Sequence, residues 1–182
     1  MLQRLKARLR EHEGVIPHLY LDTLGLVTCG VGHLVALPEH LDAVAMCKPD
    51  GSTATQAEKR AEWHTVKGLS PAKLPSYYEQ RTVLRMTPDA ISALQDSDVN
   101  GFRTALTARL PGFQEFPEPV QEALLDMAFQ LGVSGLCRQF PRLVLAIKTR
   151  DWATCAAQCH RAGIQEWRNA ATADLFMQAV AA

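Results

Sequence analysis

Leucines at positions 2, 5 and 9 recur at steps of three and four, the spacing of one helical face. Lys6, Arg8, Arg10 and Glu11 fill the other faces, so the chain opens with an amphipathic helix. The next step of four lands on Glu13, where the pattern predicts a hydrophobe. Gly14 then suits a left-handed helix end, and Pro17 discourages continuation. His18 to Leu21 reads as a short strand, Asp22-Thr23-Leu24-Gly25 as a turn with Asp first and Gly fourth, and Leu26 to Cys29 as the return strand. Residues 35–52 are loop-like. Thr55-x-x-Glu58 is a capping box that starts a helix from about Gln56 to Val66. Gly68, Pro71 and Pro75 break the pattern after it.

Thr87 caps the longest predicted helix, with Pro88 at its first position. Ile91, Leu94, Phe102, Leu106 and Leu110 hold one face of it, interrupted by Asp98. Pro111, Gly112, Pro117 and Pro119 mark a boundary. Val120, Leu124, Met127 and Leu131 then run at helical spacing beside Ala123 and Ala128, which predicts a buried central helix ending in Phe129-Gln130-Leu131-Gly132. Further helices are expected over Phe140 to Ile147, over Trp152 to Arg161 with Asp151 as cap, and over Thr172 to Val180. Trp167, Arg168 and Asn169 fall in the predicted loop before the last of these, where Arg168 has a surface or structural role as its simplest reading and an acidic sugar substituent as the other.

These elements predict an α+β fold, mostly α-helical, with one small hairpin. At 182 residues and 47% hydrophobic content the chain makes one domain, or two lobes sharing a helix. No apolar run approaches the roughly 20 residues of a membrane span, and the charged N-terminus has no signal-peptide core. The formal net charge of zero argues against nucleic acid or an anionic membrane as a bulk electrostatic partner. The five cysteines lack metal-finger spacing, and their count fits folding in a reducing compartment. Cys155, Cys159 and His160 form only a weak ligand pattern, and the first two also fit a helix core face.

The chemistry concentrates between Glu13 and Leu34. An inward carboxylate at a helix C-terminus meets partial burial and the negative end of the helix dipole, and both disfavour its charged form. A general acid working near neutral pH needs that bias. A solvated Glu at a frayed helix end is the plain alternative. Taken singly, Asp22 reads as a turn residue, Thr28 as a strand residue and His33 as a paired structural histidine.

Together the residues carry more. Glu13-x8-Asp22-x5-Thr28, followed by Gly30, Gly32 and His33, with Tyr20, Thr23, Gly25 and Leu34 in register, resembles the phage-type lysozymes, glycoside hydrolase family 24. The aromatic-Gln-x-Gly end at Phe129 and Gln130 is a second match. The resemblance implies a lysozyme-like two-lobe fold within a single domain over residues 1–182: a helix-and-hairpin lobe over 1–86, a connecting helix over 87–110 and a helical lobe over 111–182. It is weakest over residues 35–85 and after about residue 160; the former stretch is longer than in the family's familiar member and reads as surface elaboration.

The implied activity is a muramidase that cuts the β-1,4 bond from N-acetylmuramic acid to N-acetylglucosamine in peptidoglycan and lyses bacteria as a phage endolysin. Glu13 would be the acid, Asp22 the stabilising carboxylate and Thr28 the group that holds the attacking water, which suggests inversion. Leu34, Phe129 and Gln130 would contact glycan. His33, Asp98, Gly30 and Gly32 would support the site, with Asp98 expected to pair with His33 and tie the hairpin to the long helix. No metal or organic cofactor is implied. The expected partner is the peptidoglycan strand, with no nucleic acid and no stable membrane insertion, and a monomer is expected. The protein would be made in the cytoplasm and act on the wall in the periplasm. The alternatives are an antibacterial effector toxin delivered by a secretion system, with an immunity protein or delivery partner, a wall-binding module without turnover, and a membrane-perturbing protein acting through its N-terminal helix.

Overall fold

A computed structural model describes residues 1–181. The fold is α+β and mostly helical, with one three-stranded antiparallel sheet in the order β1-β2-β3. The chain divides into two compact units, Arg8–Asp98 and Met1–Ala7 together with the chain from Val99 on. The first helix, α1 (Leu2–Glu13), and the long helix α4 (Pro88–Arg109) each give residues to both.

In the Arg8–Asp98 unit, β1 (Ile16–Leu21) pairs with β2 (Val27–Gly30), and β2 with β3 (His33–Leu34). The hairpin is therefore longer than the pattern suggested, and a third strand follows it. Gly30 and Gly32 both take left-handed φ, 63° and 68°, which lets the chain reverse within two residues between β2 and β3. Leu19, Leu21, Val27, Cys29 and Val35 bury one sheet surface or its margins.

Residues 35–85 are not mere surface elaboration, contrary to expectation. Leu41, Val44, Met46, Trp63, Val66, Tyr78 and Leu84 are all buried there, so the segment builds much of the unit's core. It contains a short 3-10 turn at Pro38–Ala43, helix α2 (Gln56–Lys67) and a further short helix, α3 (Pro75–Glu79), where only chain breakers were visible. Pro75 occupies the first turn of α3, where its missing N–H costs nothing. The capping box of α2 forms as its residues require: Thr55 Oγ1 accepts from Glu58 N at 3.3 Å, and Thr55 N donates to Glu58 Oε2 at 2.7 Å.

The inner face of α2 buries Lys59, Glu62, Trp63 and Val66, one helical stripe with two charges in it. Each charge closes a different loose end. Lys59 Nζ donates to the carbonyls of Leu41, Val44 and Asp42 at 2.7, 2.9 and 3.2 Å. Glu62 Oε2 accepts from Val83 N and Leu84 N at 2.7 and 3.0 Å. Burial pushes Lys59 down and Glu62 up from their ordinary pKa values. Hydrogen bonds to a charged group are worth about 1.5–3 kcal/mol each, which offsets part of that burial.

The other unit is helical. It holds the C-terminal part of α4, a 3-10 turn at Phe113–Glu115, α5 (Glu118–Gln139), α6 (Pro141–Lys148), α7 (Trp152–Gln158) and α8 (Glu166–Gln178). Phe113, Phe116 and Trp152 form a chain of edge-on rings with centroids 6.0 and 5.3 Å apart. Gly132 breaks α5 with φ 67° and ψ 155°, as its place after Leu131 suggests, but a helical turn resumes at once and runs to Gln139. Asp151 caps α7 through Thr154 N at 2.9 Å, yet the helix stops at Gln158 instead of Arg161. α8 begins at Glu166, six residues before the expected start, so Trp167, Arg168 and Asn169 lie in its first turns and not in a loop.

Candidate active site

Glu13 is the last residue of α1 and half-buried. Gly14 follows in the left-handed conformation, φ 76°, and its N–H closes the helix on Arg10 O at 3.0 Å. The carboxylate that interrupts the apolar stripe thus sits where the stripe placed it, at the C-terminal end of the helix.

Asp22 opens the β1–β2 turn. Its Oδ1 accepts from Leu24 N at 2.9 Å and from Leu26 N at 2.8 Å. The backbone closes the same turn through Gly25 N to Asp22 O at 3.1 Å. One oxygen therefore does the work of an Asx turn. The other, Oδ2, carries no hydrogen bond among the described residues.

Register places the next residues. Tyr20 stands opposite Thr28, and Thr28 opposite Leu34, so these three side chains form a row on one face of the sheet. Cys29 stands opposite His33 on the other face. Thr28 is 5% exposed and its hydroxyl donates to Leu26 O at 3.1 Å, which leaves the lone pairs of Oγ1 as acceptors. Leu34 is 48% exposed, an apolar side chain open to solvent at the end of the row.

Tyr20 begins the row. Burial pushes its phenol up, and the charges of Glu13, Cys29 and Asp22 push it further. Tyr20 itself lies directly across from Thr28 and two residues before Asp22. The motif assigned no task to Tyr20; its register with Thr28 is the signal that could have marked it.

On the opposite face, His33 Nδ1 lies 2.9 and 3.0 Å from the two carboxylate oxygens of Asp98 on α4. This contact ties β3 to α4. Cys29 is also on that face. Burial pushes its thiol up to about 12, with Asp98 adding to the effect. A thiol held protonated is a poor nucleophile.

Phe129 and Gln130 lie in α5, in the other unit, and both have partners there. The Phe129 ring is 5.5 Å from that of Phe102. Gln130 Oε1 accepts from Arg161 Nη1 at 3.0 Å. Arg161 is the larger surprise. It is 2% exposed and donates to Asp126 Oδ2 at 2.9 Å and to Thr172 Oγ1 at 2.7 Å. Arg168 is buried too and reaches Asp126 Oδ1 at 3.2 Å, which favours the structural reading of this residue over a glycan contact. Cys155 and Cys159 are buried in the same unit, while His160 is exposed and 3.2 Å from Glu166. No cluster of three side chains able to hold a metal ion occurs among the described residues.

No protein-family model matches this chain, and no curated protein matches it in sequence.

Proposed function

We propose that the protein is a glycoside hydrolase of the phage-lysozyme type, a muramidase that cleaves the β-1,4 bond between N-acetylmuramic acid and N-acetylglucosamine and lyses cells as an endolysin. What supports this reading is the Glu13–Asp22–Thr28 spacing together with the sheet register that sets Thr28 across from Tyr20, two residues before Asp22. Three parts of the chain deliver the three residues: a helix end, a turn and a strand.

In the proposed reaction Glu13 protonates the leaving glycosidic oxygen as the bond breaks. Positive charge develops on the sugar ring, and the Asp22 carboxylate stabilises it through space. Its orientation is fixed by the two turn amides. Thr28 has its own proton engaged by Leu26 O, so its oxygen accepts from the attacking water and holds it. Water then attacks the anomeric carbon, the proton it sheds passes to solvent, and the configuration inverts. Leu34 supplies an apolar surface for a sugar ring. On the resemblance alone Phe129 and Gln130 are further candidate glycan contacts, with Gln130 held by Arg161 inside their own unit.

A membrane-perturbing role for α1 is disfavoured by the burial of Leu5 and Leu9, which removes the apolar face such a helix would offer to lipid. No helix among the described residues is long and apolar enough to cross a membrane.

The stereochemical outcome tests the mechanism. Proton NMR of a soluble peptidoglycan oligomer during digestion is expected to show the α-anomer of the new reducing end first. Initial appearance of the β-anomer would overturn the water-holding role of Thr28.

A further inference from the structure

The Asp22 carboxylate can be no steadier than its turn, because both of its backbone donors belong to that turn. The turn lies at the tip of a hairpin, with Thr23 and Leu24 exposed, and hairpin tips open easily. A segment more than forty residues away grips it from outside. Lys67 Nζ donates to Gly25 O at 2.7 Å. Ala72 N donates to Asp22 O at 3.4 Å, a long and weak bond. The ring of Pro71 covers Gly25, with its Cβ 3.6 Å from where a Gly25 side chain would begin.

The grip is itself braced. The phenol of Tyr78, on α3, donates to Ser70 O at 2.8 Å and accepts from Lys73 N at 3.4 Å, and so fixes both ends of the loop that carries Pro71 and Ala72. The Tyr78 ring is fully buried, with its centroid 6.5 Å from that of Tyr20. His18 Nε2 lies 2.9 Å from Pro75 O and ties α3 to β1. Ala72 sits at φ 56°, a left-handed conformation that costs an L-residue energy. Such strain persists where surrounding contacts impose it. Here the strained residue is the one whose N–H meets Asp22.

We propose that Lys67, Ala72 and Tyr78 are positioning residues: they form a clasp that holds the Asp22 carboxylate in its working geometry. Their catalytic significance rests on the muramidase reading above. The clasp touches the turn backbone and no substrate, so it sets the rate of the chemical step and leaves binding alone.

Lys67→Met keeps the side-chain stem and removes the donor, at an exposed position where folding is not at risk. Tyr78→Phe keeps the buried ring and removes the loop brace. Each is expected to lower kcat on purified peptidoglycan about tenfold with KM within about twofold of wild type, and Lys67→Arg to recover most of the loss. Amide exchange at Leu24 and Leu26 is expected to quicken by a similar factor in both variants. If the wild type cleaves wall and both variants match its kcat, the clasp proposal is wrong while the function stands. If the wild type cleaves no wall, the function reading fails, and the exchange rates decide the clasp: faster exchange supports it and unchanged exchange overturns it.

Discussion

On the proposed function, Glu13→Gln is expected to slow peptidoglycan cleavage by about 10²–10⁴-fold, the usual contribution of a positioned general acid. The amide fills the same volume and keeps hydrogen-bonding capacity, but it has no proton of suitable acidity to give. Binding contacts are untouched, so the loss should fall on kcat with little change in KM. The position itself carries the expectation. Glu13 closes α1 as a half-buried residue, and Gly14 turns the chain away immediately after it. A carboxylate serving only as a solvated helix end would be replaceable at no cost in rate. Turbidity loss of purified wall, with thermal unfolding to confirm that the variant is folded, separates the two outcomes.

Asp126→Asn is expected to remove about 3–5 kcal/mol of stability, the cost of leaving buried charges without their counter-charge. Asp126 is 1% exposed on α5, and Arg161 and Arg168 reach its two oxygens from beyond α7 and from α8. The substitution keeps the shape and removes the negative charge between two buried guanidiniums. For a chain of this length the unfolding midpoint should fall on the order of 10 °C. Acid provides a second readout. Burial alone would raise the Asp126 pKa, but the charges of Arg168 and Arg161 outweigh it and hold the carboxyl below its ordinary range. A depressed folded pKa means the stabilisation is fully present above the unfolded value, about pH 4. It is lost as pH falls through the folded value. Wild type should therefore lose stability steeply below about pH 4, and Asp126→Asn should lose less over the same window. Calorimetry from pH 2 to 7 on both proteins would contradict the account if the two curves ran parallel.

The parts of the fold governed by local rules were legible. The stripe of Leu2, Leu5 and Leu9 ended at a carboxylate because the helix did. Thr55 and Glu58 announced α2, and Pro88 announced α4, since caps and first-turn prolines act within four residues. α8 was misplaced for the converse reason: its N-cap is Gln165, which makes no capping bond, so nothing in the sequence marks its start. The buried arginines were missed because charge reads as surface. A signal existed in α5, where Asp126 lies within the unbroken buried run Glu122–Ala128. A helix with hydrophobes on every side must bury such a carboxylate, and a buried carboxylate requires cations. The clasp had no local signal. Gly68, Pro71 and Pro75 say only that regular structure stops, and the partner of Lys67 is forty-two residues earlier.

The candidate site was legible in part. Asp98 interrupted an apolar face, which suggested a partner, and His33 supplies it. The row of Tyr20, Thr28 and Leu34 follows from register, which a sequence pattern with period two can suggest but a turn of unknown length cannot fix. Gln130 looked costly to bury without partners; its partner Arg161 lies in a stretch where the predicted helix end was wrong.

The most direct test is mass analysis of the fragments released from purified peptidoglycan, with wild type and Glu13→Gln digested side by side. Wild type is expected to give disaccharide-peptides that end in reducing N-acetylmuramic acid, and the variant almost none. Fragments ending in N-acetylglucosamine, in a 1,6-anhydro ring or at a cut peptide bond would contradict the account, as would equal release by both proteins.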